Sequence, residues 1–271
     1  MKRIFALSIL TFKEGVRDRA LAGIFIIMVL MLFVTILVTS FFGHELGKVL
    51  VDLNLSAIAF AGLLMTFFVN INLISKDIDK RTIYCVLSKP LSRTEYIIGK
   101  YLGLILLVLV SLSCLMLISS GVVAVQKWAH APEYFKDFYW SCFLQAYYYE
   151  ILMFIILNAV IMFFSSITTS SFITLLFSVA TYITGQTIEE IIKFFQNEAA
   201  ASQMPSTFHQ AIIDIIEYLF PNFSAFDIKI LSSHGKLMSL GHTVTITGYS
   251  LIYTAFLFFF ASLIFSRREF N

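Results

Sequence analysis

Six long apolar runs divide the chain, and polar or charged segments separate them. Each run is close to the ~20 residues that an α-helix needs to cross a bilayer. The pattern therefore predicts an all-α, polytopic membrane protein with six transmembrane helices in a single transmembrane domain, residues 1–271. The predicted spans are Leu21–Phe42, Leu53–Ser75, Tyr96–Val125, Phe143–Phe164, Ser171–Ile188 and Thr243–Phe265.

Two polar segments outside the runs have helical patterns of their own. In residues 1–20, Phe5, Ile9, Phe12 and Val16 recur at helical spacing among basic residues, which predicts an interfacial amphipathic helix on the cytoplasmic side. A signal peptide is disfavoured because no A-x-A cleavage site follows the first apolar run. Residues 189–242 carry two apolar stripes and predict an extracytoplasmic helical hairpin between the fifth and sixth spans. The stripes are Ile188, Ile191, Ile192 and Phe195, and then Phe208, Ile212, Ile215, Ile216 and Leu219.

The segment between the second and third spans, Lys76–Lys100, holds six of the 19 Lys and Arg residues. Charged side chains are costly at the centre of a membrane helix, so this segment lies in water. Pro90 ends any helix before it, since the residue preceding a proline is driven out of the α conformation. Ser92 and Glu95 then form an S-x-x-E capping box that starts a new helix. Residues 76–95 are thus predicted to form a structured, charged elbow that serves as a docking surface.

The distribution of Lys and Arg sets the predicted orientation. If both termini and the Lys76–Lys100 segment lie on one side, that side holds thirteen of the 19 basic residues. Cytoplasmic loops carry the excess of Lys and Arg, so the termini and the elbow are predicted to be cytoplasmic. The charged fraction, 13%, is about half of that in soluble domains and also favours a membrane protein.

The elbow also carries a family resemblance. The Lys76–Lys100 segment that contains it includes, in order, Asp77-x-Asp79, Thr82, Leu87-Ser88-x-Pro90, Ser92-Arg93 and Gly99-Lys100. This order resembles the first cytoplasmic loop of type-2 ABC transporter (ABC-2) permeases. More narrowly, it is similar to the branch that includes the permease for maturation of nitrous-oxide reductase, a multicopper enzyme. The stretch LFPNFSAFDIK, Leu219–Lys229, resembles the Pro-Asn-Phe segment before the last helix of that family.

The resemblance implies a permease subunit of an ATP-driven exporter in the inner (cytoplasmic) membrane. It implies a separate ABC ATPase subunit that binds ATP and Mg, a second permease copy that makes a homodimer, contact with membrane lipid, and no nucleic-acid partner. It places ATPase coupling on Asp77, Asp79, Lys80, Arg81, Thr82, Ile83, Val86, Leu87, Pro90, Ser92 and Arg93.

The chain lacks the chemistry of an ATPase. No G-x-x-x-x-G-K-[ST] sequence is present, so neither an ATPase activity nor a cofactor is expected in this chain. The five histidines have spacings that match no metal-ligand motif, and no metal site is predicted. The three cysteines lie in three different segments, which argues against a structural disulfide.

Four polar residues inside the spans are weak candidates for substrate binding: Asn70, Asn72, Glu150 and Asn158. Polar residues within a membrane are functional candidates by default. Asn is also an ordinary hydrogen-bonding link between helices, and Glu150 is near enough to the outer end of its span to reach the interface. The sequence leaves both readings open.

Two other classes of protein compete with the permease. Intramembrane metalloproteases of the CAAX-processing type use a Glu-Glu pair and histidines, and Glu189-Glu190 has histidines downstream. The pair lies at the outer end of a span, however, and the Arg expected of those enzymes is missing. A non-transporting membrane scaffold is the other alternative.

Overall fold

The computed structural model describes residues 2–39, 41, 45–74, 92–168, 170–196 and 220–267. All regular structure in these ranges is helical, as predicted. The helices are α1 (Lys2–Val16), α2 (Arg19–Thr39), α3 (Leu46–Leu64), α4 (Arg93–Ala129), α5 (Trp140–Ile167), α6 (Ser171–Gln196), α7 (Lys229–Ser233) and α8 (Leu240–Arg267). A π-helical turn, Met65–Asn70, continues α3, and short 3₁₀ turns cover Pro132–Phe135 and Ser224–Phe226.

Within the ranges that the structure describes, six helices are long and apolar enough to cross a membrane, the number that the sequence predicts. They are Arg19–Thr39, Leu46–Ile74, Arg93–Ala129, Trp140–Ile167, Ser171–Ile192 and Leu240–Arg267. The predicted start of the second span at Leu53 was wrong, because α3 begins at Leu46. Lys48 is accommodated in this first turn, where it pairs with Glu45 at 3.0 Å and Asp137 at 3.6 Å. The predicted end of the fifth span at Ile188 was also too early, since α6 continues through Glu189 and Glu190.

Helices α3 and α5 form the centre of the bundle. About 72% of each apolar stretch is buried by other parts of the protein, against 22–28% for α2, α6 and α8. The largest enclosed side chains include Phe143, Tyr149 and Phe154 of α5. Because lipid tails are as apolar as leucine, the exposed faces of α2, α6 and α8 are suited to lipid or to another membrane chain.

Helix α1 lies alongside the first half of α4. Its buried residues are Leu7, Ser8, Thr11 and Gly15, a face that the sequence pattern did not single out. Phe5 and Val16 of the predicted apolar stripe are 68% and 51% exposed, so they point away from the bundle. The interfacial position of this helix stays a prediction. The second stripe of the outer hairpin lies outside the described residues, so the hairpin also stays a prediction.

The topology is tested by labelling introduced cysteines from the two sides of the membrane. Cys142 is buried and therefore a poor reporter, so the native cysteines are first replaced. Lys136 and Ser266 are exposed at opposite ends of the bundle. By the positive-inside rule we expect Lys136→Cys to react with a membrane-impermeant maleimide in intact cells, and Ser266→Cys to react only after permeabilisation. Labelling of both positions from the same side would contradict the six-span topology.

Candidate functional site

The first turn of α4 is fixed by the predicted capping box. The Glu95 amide donates to Ser92 Oγ at 3.1 Å, and the Ser92 amide donates to Glu95 Oε2 at 2.9 Å. Ser92 itself has extended backbone angles, as an N-cap residue should. Both orphan amides are thereby satisfied, which confirms the prediction and defines where the elbow passes into the membrane helix.

The last turn of α8 holds this helix start from one side. Arg93 Nη1 donates to the carbonyl of Ser266 at 3.0 Å. One turn later, the ring of Tyr96 stacks on Phe265 with centroids 5.8 Å apart and planes 12° apart. The start of α4 is therefore tied to the end of the last membrane helix by a polar and an aromatic contact.

Helix α1 holds α4 from the other side through two glycines. A Cβ added to Gly103 would lie 2.6 Å from Thr11 Cβ and 2.7 Å from the Ser8 carbonyl oxygen, and one added to Gly99 would lie 2.8 Å from Leu7 Cδ2. The missing side chains let the two backbones approach closely, as in membrane G-x-x-x-G contacts. Ser8 Oγ uses this proximity to donate to the Gly99 carbonyl at 2.9 Å.

A buried cation completes this contact. Lys100 is only 2% exposed, and its Nζ lies 3.8 Å from Glu14 Oε2 of α1. A buried ammonium is unfavourable without a partner, so the carboxylate of Glu14 couples the position of α1 to that of α4. We call residues 92–103 of α4, with the contacting parts of α1 and α8, the α4 seat.

The structure describes only part of the predicted coupling set. Ser92 and Arg93 lie in the α4 seat with the contacts given above. The other nine predicted coupling residues lie outside the described residues: Asp77, Asp79, Lys80, Arg81, Thr82, Ile83, Val86, Leu87 and Pro90. Sequence reasoning did not predict the roles of Ser8, Glu14 and Lys100. The G-x-x-x-G spacing of Gly99 and Gly103 is a sequence signal that could have indicated this close helix contact.

Two of the four intramembrane candidates bind each other. Asn70 Nδ2 donates to Asn158 Oδ1 at 2.6 Å, and both residues are fully buried. Asn72 is exposed. A similar link that the sequence analysis missed joins α3 to α4, where Ser119 Oγ donates to Asn54 Oδ1 at 2.9 Å. These asparagines thus cross-link the central helices.

The fourth candidate, Glu150, is 3% exposed, and its carboxylate oxygens have no hydrogen-bond partner among the described residues. Above it, Lys229 at the start of α7 pairs with Asp227 at 2.9 Å. Burial lowers the pKa of the Lys229 ammonium, but attraction to the carboxylates of Asp227 and Glu150 outweighs this effect, so the pKa lies above its ordinary value. The Lys229 ammonium therefore attracts the Glu150 carboxyl group without a direct ion pair to it, while its ion pair is with Asp227.

No metal centre or proteolytic site is visible in the parts of the chain that the structure describes. No three His, Cys, Asp or Glu residues there lie close enough together to hold a metal ion. His242 instead stacks on Tyr149, with Nδ1 3.2 Å from its Oη. Glu189 and Glu190 lie within α6.

An apolar groove of about 530 Å³ lies between α2 and α3. Its lining includes Ile27, Met31 and Val34 from α2, with Leu53, Ala57 and Phe60 from α3. Such a surface offers van der Waals contacts and no recognition of charge.

The sequence was compared with known proteins. The sequence model of a family described as ABC-2 family transporter protein matches residues 6–270. No curated protein matches the chain.

The α1–α4 contact is tested by adding one methyl group to Gly103. Gly103→Ala places Cβ against the Ser8 backbone, which cannot move as a side chain can, and overpacking of this kind costs roughly 1–3 kcal/mol. Gly121 of the same helix has no atom within 4 Å of an added Cβ, so Gly121→Ala is the matched control. It should be neutral or stabilising by up to ~1 kcal/mol, since Ala favours helix more than Gly. Thermal unfolding of both variants in detergent checks this, and equal midpoints would contradict close packing at Gly103.

The Lys229–Glu150 interaction is tested by removing each charge and then both. Lys229→Met leaves the buried carboxylate without its compensating cation. The variant also removes the pair with Asp227, and because Lys229 makes no direct ion pair with Glu150 among the described residues, we expect a loss of only about 1 kcal/mol. Glu150→Leu combined with Lys229→Met should recover part of that loss, measured by thermal unfolding. If the double variant is less stable than Lys229→Met by the full stability loss that Glu150→Leu causes alone, the two charges do not interact.

Proposed function

The chain belongs to the ABC-2 family of transporter proteins, and we propose that it is the membrane-spanning permease subunit of an ATP-driven exporter whose ATPase is a separate chain. A transport subunit of this family is not itself an enzyme. ATP and Mg would then bind to the ATPase, and this chain would convert the closing of the ATPase into movement of its helices.

The observation that carries the proposal is the construction of the α4 seat. A docking segment can transmit force only if its end is held, because a frayed helix start would absorb the displacement. Here the Ser92–Glu95 capping box fixes the start of α4. The Arg93–Ser266 bond holds it against α8, and the Ser8–Gly99 bond holds it against α1. A displacement of residues 76–91 would therefore be transmitted to α1, α4 and α8 together.

Within the elbow, charged and apolar residues have different proposed roles. Asp77, Asp79, Lys80 and Arg81 would form an exposed rim, where each ion pair is worth only about 0–1 kcal/mol. Ile83, Val86 and Leu87 would bind in the ATPase surface, since full burial of one such side chain is worth roughly 1.5–3 kcal/mol. Thr82, Pro90, Ser92 and Arg93 would set the shape of the elbow.

The remaining parts of the proposal concern assembly and location. We propose a homodimer of permeases with two ATPases, in the inner (cytoplasmic) membrane, with both termini on the cytoplasmic side. The exposed faces of α2, α6 and α8 are suited to lipid and to the second copy. The elbow sequence supports a place near the branch with the nitrous-oxide-reductase maturation permease. The alternatives, a CAAX-type metalloprotease and a scaffold, have no specific observation in their favour.

The test replaces one apolar and one charged residue of the elbow. Leu87→Asp puts a carboxylate where an apolar contact is proposed, and it should strongly reduce ATPase co-purification and ATP hydrolysis by the complex. Asp79→Lys should weaken both only mildly, because it lies at the solvated rim. Ser92→Ala should cost about 1 kcal/mol at the helix start and lower hydrolysis without abolishing binding.

Lys136→Asp, an exposed charge reversal far from the elbow, is the control and should behave like the parent. If the Leu87→Asp variant co-purifies its ATPase and hydrolyses ATP as the parent does, the elbow is not the coupling site.

A further inference from the structure

The membrane helix that leads into the elbow changes its winding before it ends. Helix α3 is α-helical from Leu46 to Leu64, becomes π-helical over Met65–Asn70, and is α-helical again to Ile74. A π-turn has i→i+5 hydrogen bonds and contains one residue more than the α-helical turn it replaces. Such turns are rare and are frequently found at functional sites.

The π-turn leaves buried polar atoms without partners. Thr66 Oγ1 and Asn70 Oδ1 are fully enclosed and have no hydrogen-bond partner among the described residues. Threonines elsewhere in the bundle donate to the carbonyl four residues earlier, as Thr39 does to Thr35 and Thr181 does to Phe177, each at 2.8 Å. An α-helical winding would give Thr66 the same bond to Gly62. The π-turn thus leaves a hydrogen bond of Thr66 unmade that an α-helical turn would allow.

Neighbouring helices hold the turn in this state. Asn158 of α5 accepts the bond from Asn70, and its own Nδ2 donates to the Phe154 carbonyl at 2.8 Å. The Phe154 ring packs against Gly62, where an added Cβ would overlap it. On the next helix, the ring of Tyr182 lies edge-on to Phe67 with centroids 6.0 Å apart. The π-turn is therefore maintained by tertiary contacts and can rewind if those contacts shift.

The two ends of the elbow differ in how they are attached. The α4 seat fixes the carboxyl end through the capping box, α1 and α8. At the other end, Ile71, Leu73 and Ile74 form a buried helical turn that follows directly on the π-turn. Because the α4 seat resists displacement of the elbow, the displacement would instead change the winding of the π-turn.

We propose that the π-turn Met65–Asn70 is the deformable joint through which elbow movement enters the bundle, and that Asn158 is the positioning residue that sets its resting state. This inference rests on the proposed function, since it requires an ATPase to move the elbow. When the ATPase closes, the turn rewinds toward α-helix, the Asn70–Asn158 bond breaks, and Ile71–Ile74 rotate relative to α5.

The first test deletes the extra residue. Phe68 is 51% exposed, so deletion of Phe68 removes little core contact and converts the π-turn to an α-helical turn. In the parent complex, a non-hydrolysable ATP analogue should change the hydrogen–deuterium exchange of residues 62–74. In the deletion variant this nucleotide-dependent change should be lost, while the ATPase still co-purifies. A parent whose exchange at 62–74 does not respond to nucleotide, or a deletion variant that keeps the parent's response, would overturn the proposal.

The second test compares two buried asparagines of the same helix. Asn70→Leu removes the bond to Asn158, and Asn54→Leu removes an equally buried bond to Ser119 outside the π-turn. Both should lose similar thermal stability. Only Asn70→Leu and Asn158→Leu should lower ATP hydrolysis by the complex, about fivefold, which lies within the range of mutational effects on coupling.

Equal hydrolysis in the Asn54→Leu and Asn70→Leu variants would show that the bond to Asn158 is only structural, and the joint would be refuted. Failure of the parent to bind any ATPase is a separate result, because it would refute the proposed function and with it the joint.

Discussion

A polar group buried inside a membrane protein has no water to bond with, and this constraint explains how the helices are arranged. Apolar contacts do not choose between one helix and another, since lipid tails offer the same contacts. Orientation comes instead from specific bonds. Tyr101 of α4 donates to the Ile155 carbonyl at 3.1 Å, and Ser250 of α8 donates to the Leu152 carbonyl at 3.3 Å. Both bonds end on α5, one of the two central helices of the bundle.

The same constraint makes the two helices that flank the elbow mechanically different. In α4, the polar groups near its start are satisfied by Ser92, Glu95 and α1, and two glycines remove the space in which the helix could shift. In the helix before the elbow, the π-turn that precedes Ile71–Ile74 carries unpartnered Thr66 Oγ1 and Asn70 Oδ1. A satisfied, close-packed contact resists displacement, whereas the proposed joint has two windings available. Packed elements that are bistable amplify small displacements, and a rigid end beside a bistable end directs the displacement.

Periodicity and composition predicted the features that depend on short stretches of sequence. The six apolar helices and the Ser92–Glu95 cap were predictable because hydrophobic length and capping chemistry are local. The early start of α3 was not, since the apolar pattern gives no sign that Lys48 pairs with Glu45 and with Asp137, which is distant in sequence. The buried face of α1 was missed for a related reason. Ser8, Thr11 and Gly15 look polar or neutral on a helical projection, but Ser8 and Thr11 pack against the glycines of α4 and Gly15 packs against Leu107.

The π-turn was beyond sequence reasoning altogether. Nothing in the sequence MTFFVN distinguishes i→i+5 from i→i+4 hydrogen bonding. In the structure, Phe67 and Asn70 of this turn contact Tyr182 and Asn158 on other helices. The role of Asn70 depends on one of these contacts. The sequence left open whether it bound substrate or linked helices, and the structure pairs it with Asn158.

The pairing of these polar residues also bears on where a transported molecule would travel. The three asparagines buried in the spanning helices, Asn54, Asn70 and Asn158, all spend hydrogen-bonding capacity on Ser119, on each other or on carbonyls of their own helices. Exchange of these bonds for bonds to a solute would loosen the contacts between α3, α4 and α5. The faces with the least intramolecular contact belong to α2, α6 and α8, and α2 borders the apolar groove. A path between two copies of the chain would need no such bonds broken inside either one, which supports the proposed homodimer on physical grounds.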